Sequence, residues 1–172
     1  FRQWASKLFC VLLSCLLFSL PVAAQNPTYL DRHYQEGLLL MQQGRFNDAL
    51  FEFKHSLAQK AHSETYFALG VTYFQLHQLS QAKEAYQLGL KLLPSDDLQA
   101  RFQAGLGDLY FENGAFTQAI SAYQRALLIH PEWTGVRLQL ANAYLRLEHY
   151  HAALAESEQL MQESTPLAEI YY

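Results

Sequence analysis

Charged residues are scarce in this chain of 172 residues. Asp, Glu, Lys and Arg together make up 16% of the sequence, and the formal net charge at pH 7 is −4. A surface that binds nucleic acid or an anionic membrane needs clustered Lys and Arg, and the sequence contains no such cluster. We therefore expect no nucleic-acid partner.

Cysteine and proline are also rare, with two cysteines and five prolines. Cys10 and Cys15 both lie in the first fifteen residues, so the chain beyond them can form no disulfide and has no thiol chemistry. Apolar residues make up 51% of the sequence, which excludes a disordered chain. Few prolines and many Leu, Ala, Gln, Tyr and Phe residues favour long helices with aromatic side chains at their contacts.

The first 24 residues have the layout of a secretory signal peptide. Arg2 and Lys7 precede an apolar run at residues 8–20, Pro21 breaks it, and small residues end at Ala24. We expect cleavage after Ala24, with residues 25–29 as a short linker. A membrane anchor is an alternative, but thirteen residues are few for a hydrocarbon core of roughly 30 Å. Lipidation of Cys15 is another, although the apolar run continues past that residue.

A repeated pattern occupies the rest of the chain. Its two fullest copies contain, in order, Tyr66, Leu69, Gly70, Tyr73, Ala82, Tyr86 and Pro94, and then Leu106, Gly107, Tyr110, Ala119, Tyr123, Ala126 and Pro131. Weaker copies flank them at Gly37, Gly44, Phe46, Ala49 and Phe53, and at Leu140, Ala141, Tyr144, Tyr150 and Ala153. Equivalent positions are 33, 37 and 34 residues apart, and residues 97–99 account for the longer spacing. The three extra residues are nearly one helical turn, so we expect them to lengthen one helix.

This pattern resembles the tetratricopeptide repeat. The resemblance implies an all-α fold, a right-handed solenoid of antiparallel helix pairs. The units are residues 30–62, 63–96, 100–133 and 134–167, and residues 168–172 match the start of a truncated fifth repeat. It also implies that Gly70 faces the region of Ala82, and Gly107 that of Ala119.

The ends of the helices can be predicted from local signals. Gly44, Gly114 and the pairs 77–78 and 148–149 lie where each first helix must turn back. Pro94 and Pro131 end second helices, because proline cannot continue a helix. The candidate N-caps are Ser63, Ser80, Ser95 and Thr117.

No motif for chemistry is visible in the sequence. The histidines lack metal-binding spacing, and His149 and His151 point about 200° apart on a helix. Asp96 and Asp97 follow Pro94 and Ser95, where acidic residues favour a helix start. There is no nucleophile elbow and no glycine-rich phosphate loop. We expect no metal, no cofactor and no enzymatic activity.

The resemblance further implies a concave groove lined by fixed positions of each first helix. The peptide-binding residues predicted in this way are Tyr34, Leu38, Met41, Phe67, Val71, Phe74, Arg101, Asp108, Phe111, Asn142 and Arg146. Chaperone-binding members of the family hold a terminal carboxylate with Lys, Asn and Arg. Here the corresponding sites are Tyr34, Leu38, Phe67 and Val71, so that clamp is absent. Phe74 and Phe111 occupy equivalent positions, so we expect them to lie near each other. The alternative is that the apolar residues of the stripe are core.

These observations predict a non-enzymatic protein–protein interaction scaffold in the bacterial periplasm, or secreted. Its partner is expected to be an apolar or amphipathic segment of another protein or a peptide, in a role in envelope assembly at an outer-membrane complex. The alternative is the N-terminal repeat arm of a larger outer-membrane export or envelope-synthesis protein. Further repeats beyond residue 172 would favour the first hypothesis, and alternating amphipathic strands of about ten residues would favour the second.

Overall fold

The computed structural model describes residues 31–163, and side chains up to residue 161. The predicted signal peptide, linker and truncated fifth repeat lie outside these residues. Between residues 31 and 163 there are eight helices and no strands. The helices are α1 (Arg32–Gln42), α2 (Phe46–Gln59), α3 (Ser63–Gln75), α4 (Leu79–Leu90), α5 (Asp96–Glu112), α6 (Phe116–Ile129), α7 (Thr134–Arg146) and α8 (Tyr150–Glu163).

The helices form an all-α solenoid of pairs, as predicted. Each unit has a first and a second helix, so units one to four are α1–α2, α3–α4, α5–α6 and α7–α8. From α2 to α8, each helix contacts the next one in the chain. Helix α5 also contacts α3 and α7. The first helices therefore form a layer, whose surface we call the inner face. Helix α5 has 17 residues and is the longest of the eight, which agrees with the extra turn predicted for unit three.

The four turns within the units share one backbone geometry. Gly44, His77, Gly114 and Glu148 have φ of 74°, 57°, 73° and 60°. In each turn the next amide bonds to a carbonyl in the last turn of the first helix, as Gln78 does to Tyr73 at 2.9 Å. This left-handed end satisfies helix carbonyls that would otherwise lack a partner. All four turns occur where the sequence predicts them, but at two of them the residue is not glycine.

Within units one to three, a glycine of the first helix lies against an aromatic ring of the second. Gly37 faces Phe53, Gly70 faces Tyr86 and Gly107 faces Tyr123, and the three rings are buried. A methyl group at any of these glycines would overlap the ring. For Gly70 and Gly107 the nearest atoms belong to the ring one turn beyond Ala82 and Ala119. We call the region formed by these three glycine–ring contacts the interior.

Unit four is stabilised differently. It has Ala141 and Ser157 at the positions of Gly107 and Tyr123. The buried guanidinium of Arg137 donates to Glu156 Oε2 at 3.1 Å, and it also contacts Gln159 and the carbonyl of Pro131. A buried charge needs such partners, because an isolated one is expensive to desolvate.

Successive units are linked through equivalent tyrosines on the first helices of units two, three and four. The ammonium of Lys54 lies 5.6 Å from the ring centre of Tyr73, and that of Lys83 lies 5.4 Å from Tyr110. In unit four the amide of Gln124 donates to the hydroxyl of Tyr144 at 2.9 Å. The cation–π contacts each stabilise by about 0.5–1 kcal/mol at exposed sites.

One of the four predicted N-caps is confirmed. Ser95 Oγ accepts from the amide of Leu98 at 3.4 Å. Ser63 instead donates to the carbonyl of Gly89 at 3.2 Å. Ser80 and Thr117 lie inside helices that begin directly after a left-handed turn, so the residue that closes the turn takes the cap position. No helix between residues 31 and 163 is long and apolar enough to span a bilayer.

Candidate peptide-binding groove

Two adjoining cavities open along the inner face, each of about 250 Å³. The first lies between α3 and α5 and is lined by Phe67, Val71, Phe74, Gln75, Tyr86, Arg101, Ala104, Gly105, Asp108 and Trp133. The second reaches unit one and is lined by Tyr34, Glu64, Phe67, Ser95, Asp97, Leu98 and Arg101. Phe67 and Arg101 belong to both, so the cavities form one trough, which we call the groove.

Six of the eleven predicted binding residues line this groove. They are Tyr34, Phe67, Val71, Phe74, Arg101 and Asp108. Phe67 is also a structural residue, since its ring lies 5.9 Å from Tyr86 and 5.4 Å from Phe102. Leu38 and Met41 are half-buried and pack, with Tyr34, against the hydrophobic cluster around Phe53. The contacts of Leu38 and Met41 are therefore those of core residues, which is the alternative given above for the apolar stripe.

Phe111 and Arg146 form a separate cluster with Phe116. The ring of Phe111 lies 5.3 Å from that of Phe116, and the guanidinium of Arg146 lies 5.2 Å from the Phe116 ring centre. In the described part of the chain, Phe111 and Asn142 are outside the groove that Phe74 lines. The observed ring partner of Phe111 is therefore Phe116, in its own unit.

The groove residues that were not among the eleven predicted ones include Tyr86, Gly105 and Trp133. Trp133 precedes α7 and stacks on His130, with ring centres 4.6 Å apart. A methyl group at Gly105 would lie 3.0 Å from the hydroxyl of Tyr86, so this glycine lets the tyrosine reach the groove floor. Gly105 could have been noticed in the sequence, since α5 contains a second glycine where the repeat pattern requires only Gly107. No comparable signal marks Trp133.

Charged groups at the groove differ in how they are paired. Arg101 Nε lies 2.9 Å from Asp97 Oδ2, and His130 Nε2 lies 3.5 Å from the other oxygen. Asp108 Oδ1 accepts a hydrogen bond from the hydroxyl of Tyr123 at 2.8 Å. Burial raises the pKa of Asp108, the Tyr123 hydrogen bond lowers it, and the charge of Glu112 raises it again.

The two tyrosines of the groove stay protonated. Burial raises the pKa of Tyr86, and the charge of Asp108 adds to the shift. For Tyr34, burial and Glu64 raise the pKa, and Arg101 lowers it. Within residues 31–163 no group of three His, Cys, Asp or Glu side chains could hold a metal ion. The first cavity thus offers apolar walls with a few directional polar groups, and the second adds polar and charged side chains, an arrangement suited to recognition.

A larger cavity, of about 350 Å³, lies between α4, α5 and α6. It is lined by Gln87, Leu90, Gln103, Leu106, Tyr110, Gln118, Ser121, Ala122 and Arg125. Its walls have one aromatic ring, several amide side chains and the aliphatic side chains of Leu90 and Leu106. Binding energy at protein interfaces is concentrated in Trp, Tyr and Arg side chains, and the groove has more of these than this cavity, which favours the groove.

The fold defines the class of this protein, which is a repeat protein built from helix pairs. Two family models, each described as a tetratricopeptide repeat, match residues 67–134 and 110–166. Together they cover more than half of the chain, and the chain belongs to the tetratricopeptide repeat family.

Solved structures of the same fold are similar to this chain. A crystal structure of MamA is 22% identical, with a TM-score of 0.73 over 83% of this chain and 82% of that one. A MamA fragment from Desulfovibrio magneticus RS-1 is 20% identical, with a TM-score of 0.73 over 94% and 96% of the two chains. The APC/C hetero-tetramer Cut9–Hcn1 is 22% identical, with a TM-score of 0.71 over 80% of this chain and 27% of that one. At such identities the likeness shows the fold alone. No curated protein matches the sequence.

Proposed function

We propose that the groove binds an apolar or amphipathic segment of a partner protein. Tetratricopeptide repeat proteins are protein–protein interaction scaffolds and are typically non-enzymatic. The observation that carries the proposal is the continuity of the two cavities, which joins side chains of units one, two and three in one trough. The apolar walls of the first cavity and the polar side chains of the second suit an amphipathic helix, and the first cavity alone would suit an apolar extended segment.

Unit four extends the apolar surface of the inner face. Leu138 and Leu145 of α7 are 51% and 50% exposed and occupy the positions equivalent to Phe67 and Phe74. They lie seven residues apart, so they share one side of the helix. A bound segment that continues past the two cavities would meet these leucines.

Phe74→Ala tests the proposal, because Phe74 lines the groove. The matched control is Phe51→Ala, whose ring is 61% exposed on a second helix. Peptides selected from a random twelve-residue library displayed on phage serve as probes for the unidentified partner. An aromatic anchor contributes about 2 kcal/mol, so Phe74→Ala should raise the peptide Kd roughly thirtyfold.

Circular dichroism of both variants checks that the helices remain. The proposal fails if a folded Phe74→Ala variant binds the selected peptides as well as Phe51→Ala does. It also fails if no library peptide binds the unmodified protein.

The compartment is part of the proposal. Residues 1–24 have the layout of a secretory signal peptide, so we place the scaffold in the bacterial periplasm, where it would assist assembly of an envelope complex. Expression of the gene with its leader should give a periplasmic form that begins at Gln25, as measured by intact mass. A chain that keeps residues 1–24 in the membrane fraction, or carries a lipid on Cys15, would contradict this.

A further inference from the structure

Asp108 has no cationic partner in the part of the chain that the structure describes. Its carboxylate lies at the first groove cavity and accepts a hydrogen bond from Tyr123 at 2.8 Å. The phenol is neutral, because burial and the charges of Asp108 and Glu112 raise the pKa of Tyr123. Between residues 31 and 163 no Lys, Arg or His forms an ion pair with Asp108.

The other charged groups on α5 leave the potential near Asp108 negative. Arg101 lines the same cavity, but it is seven residues away, about 10 Å along the helix. It is also paired with Asp97, at 2.9 Å. Glu112 follows Asp108 by one turn and adds negative charge, which further raises the pKa of Asp108. A cation is therefore the ligand that this position favours.

The walls of the cavity suit a cation on an aliphatic stem. Phe67, Phe74, Tyr86 and Trp133 all contribute to the lining. Aromatic faces attract ammonium and guanidinium groups, and apolar rings pack against methylene groups. The volume of about 250 Å³ lies below the range of roughly 300–1,000 Å³ usual for small-molecule pockets. It has room for one long side chain, and the cavity is continuous with a groove that could hold the rest of a segment.

We propose that this cavity takes a Lys or Arg side chain of the bound segment, with its cationic end at Asp108 and its stem between Phe67 and Phe74. This inference rests on the groove binding proposed above and narrows the partner's chemistry. The partner is then an apolar or amphipathic segment with one basic residue at its centre. The site is opposite in charge to the clamp that holds a terminal carboxylate.

A double-mutant cycle between protein and peptide tests the proposal. Phage peptides selected on the unmodified protein should share one Lys or Arg among apolar residues. For the tightest peptide, Asp108→Asn and replacement of that basic residue by norleucine should each raise Kd at least tenfold. The two changes together should raise it little further, because they remove the same contact.

Glu112→Gln is the control, since it removes one charge from the same helix one turn away. It should change the peptide Kd by less than threefold, and the change should shrink in high salt. Norleucine substitution in the peptide needs no protein variant, so it tests the site even if Asp108→Asn is poorly folded.

The outcomes separate this inference from the groove itself. Peptides that depend on Phe74 but bind equally well with norleucine would overturn the basic-residue site and leave the groove proposal standing. Equal effects of Asp108→Asn and Glu112→Gln would mean that Asp108 acts only through long-range electrostatic attraction. That result would also overturn the basic-residue site. Peptides that ignore Phe74→Ala would defeat the groove proposal.

Discussion

The interior and the inner face of this solenoid use equivalent positions in opposite ways. In the interior, Gly37, Gly70 and Gly107 each meet a buried ring, so the same contact occurs three times. On the inner face, the positions equivalent to Val71 differ in every unit, with Leu38, Asp108 and Asn142. The repeated contact defines the fold, and the variation places the acid Asp108 in the groove. Changes in the interior should therefore alter stability, and changes on the inner face should alter binding.

The largest effect that separates the two regions should come from Phe53→Ala. Phe53 is fully buried against Gly37, whereas Phe51, two residues earlier on α2, is 61% exposed. Loss of a buried phenylalanine costs about 3–5 kcal/mol through lost transfer energy and a cavity. Phe51→Ala should change the free energy of unfolding by less than about 0.5 kcal/mol. Urea denaturation of both variants measures the difference, and equal losses would contradict the assignment of the interior.

A smaller loss of stability is expected from Gly107→Ala. The added methyl group would overlap the ring of Tyr123, and such overpacking costs about 1–3 kcal/mol. Gly135→Ala is the matched control on α7, because its methyl group would meet no atom within 4 Å. There, alanine should stabilise the helix by up to about 1 kcal/mol, since it has the higher helix propensity. Thermal melts that show the same sign for both variants would be inconsistent with the glycine–ring contact.

Glu148→Gly should stabilise the chain, although glycine normally weakens structure. Glu148 has a φ of 60° at an exposed turn, and this left-handed conformation costs a non-glycine residue about 1–2 kcal/mol. Part of the gain is offset because glycine loses more entropy on folding, so a net gain of about 0.5–1 kcal/mol is expected. Gly44→Ala, at the equivalent turn of unit one, should lose a similar amount. A decrease in melting temperature for Glu148→Gly would contradict the shared turn geometry.

The smallest effect concerns Asp108 and pH. Because its pKa is raised in the folded chain, the folded state binds its proton more tightly than the unfolded state does. Stability at this site is therefore lost as pH rises from the ordinary carboxyl pKa of about 4 through the raised value. Asp108→Asn lacks that loss, so its melting temperature relative to the unmodified protein should increase between pH 3 and pH 7, by about 2 °C or less. A constant or decreasing difference would contradict the burial of this charge.

The repeat made the interior predictable. Its 33- to 37-residue period fixed the helix pairs and the turns at Gly44 and Gly114, and the extra residues 97–99 correctly indicated a longer α5. Most caps were not predictable from residue type, because a left-handed turn directly before the helix already fixes its start. Ser80 and Thr117 show this.

The groove was predictable only in part, because its contacts join different units. Phe74 and Phe111 are equivalent in sequence, but Phe111 packs on Phe116 within its own unit. Trp133 reaches the groove from the segment before α7, which the periodic pattern does not describe. Such contacts depend on how one unit is rotated against the next, and sequence spacing alone does not fix that rotation.

The central claim is that a partner segment binds where α3 and α5 meet. Nuclear magnetic resonance of the isotope-labelled protein, titrated with the tightest phage-selected peptide, tests this most directly. The account predicts that the largest amide shift changes fall on residues 67–75 and 101–108, with smaller changes near Trp133. Changes centred on Gln87, Gln118 and Arg125, which line the cavity between α4 and α6, would contradict it.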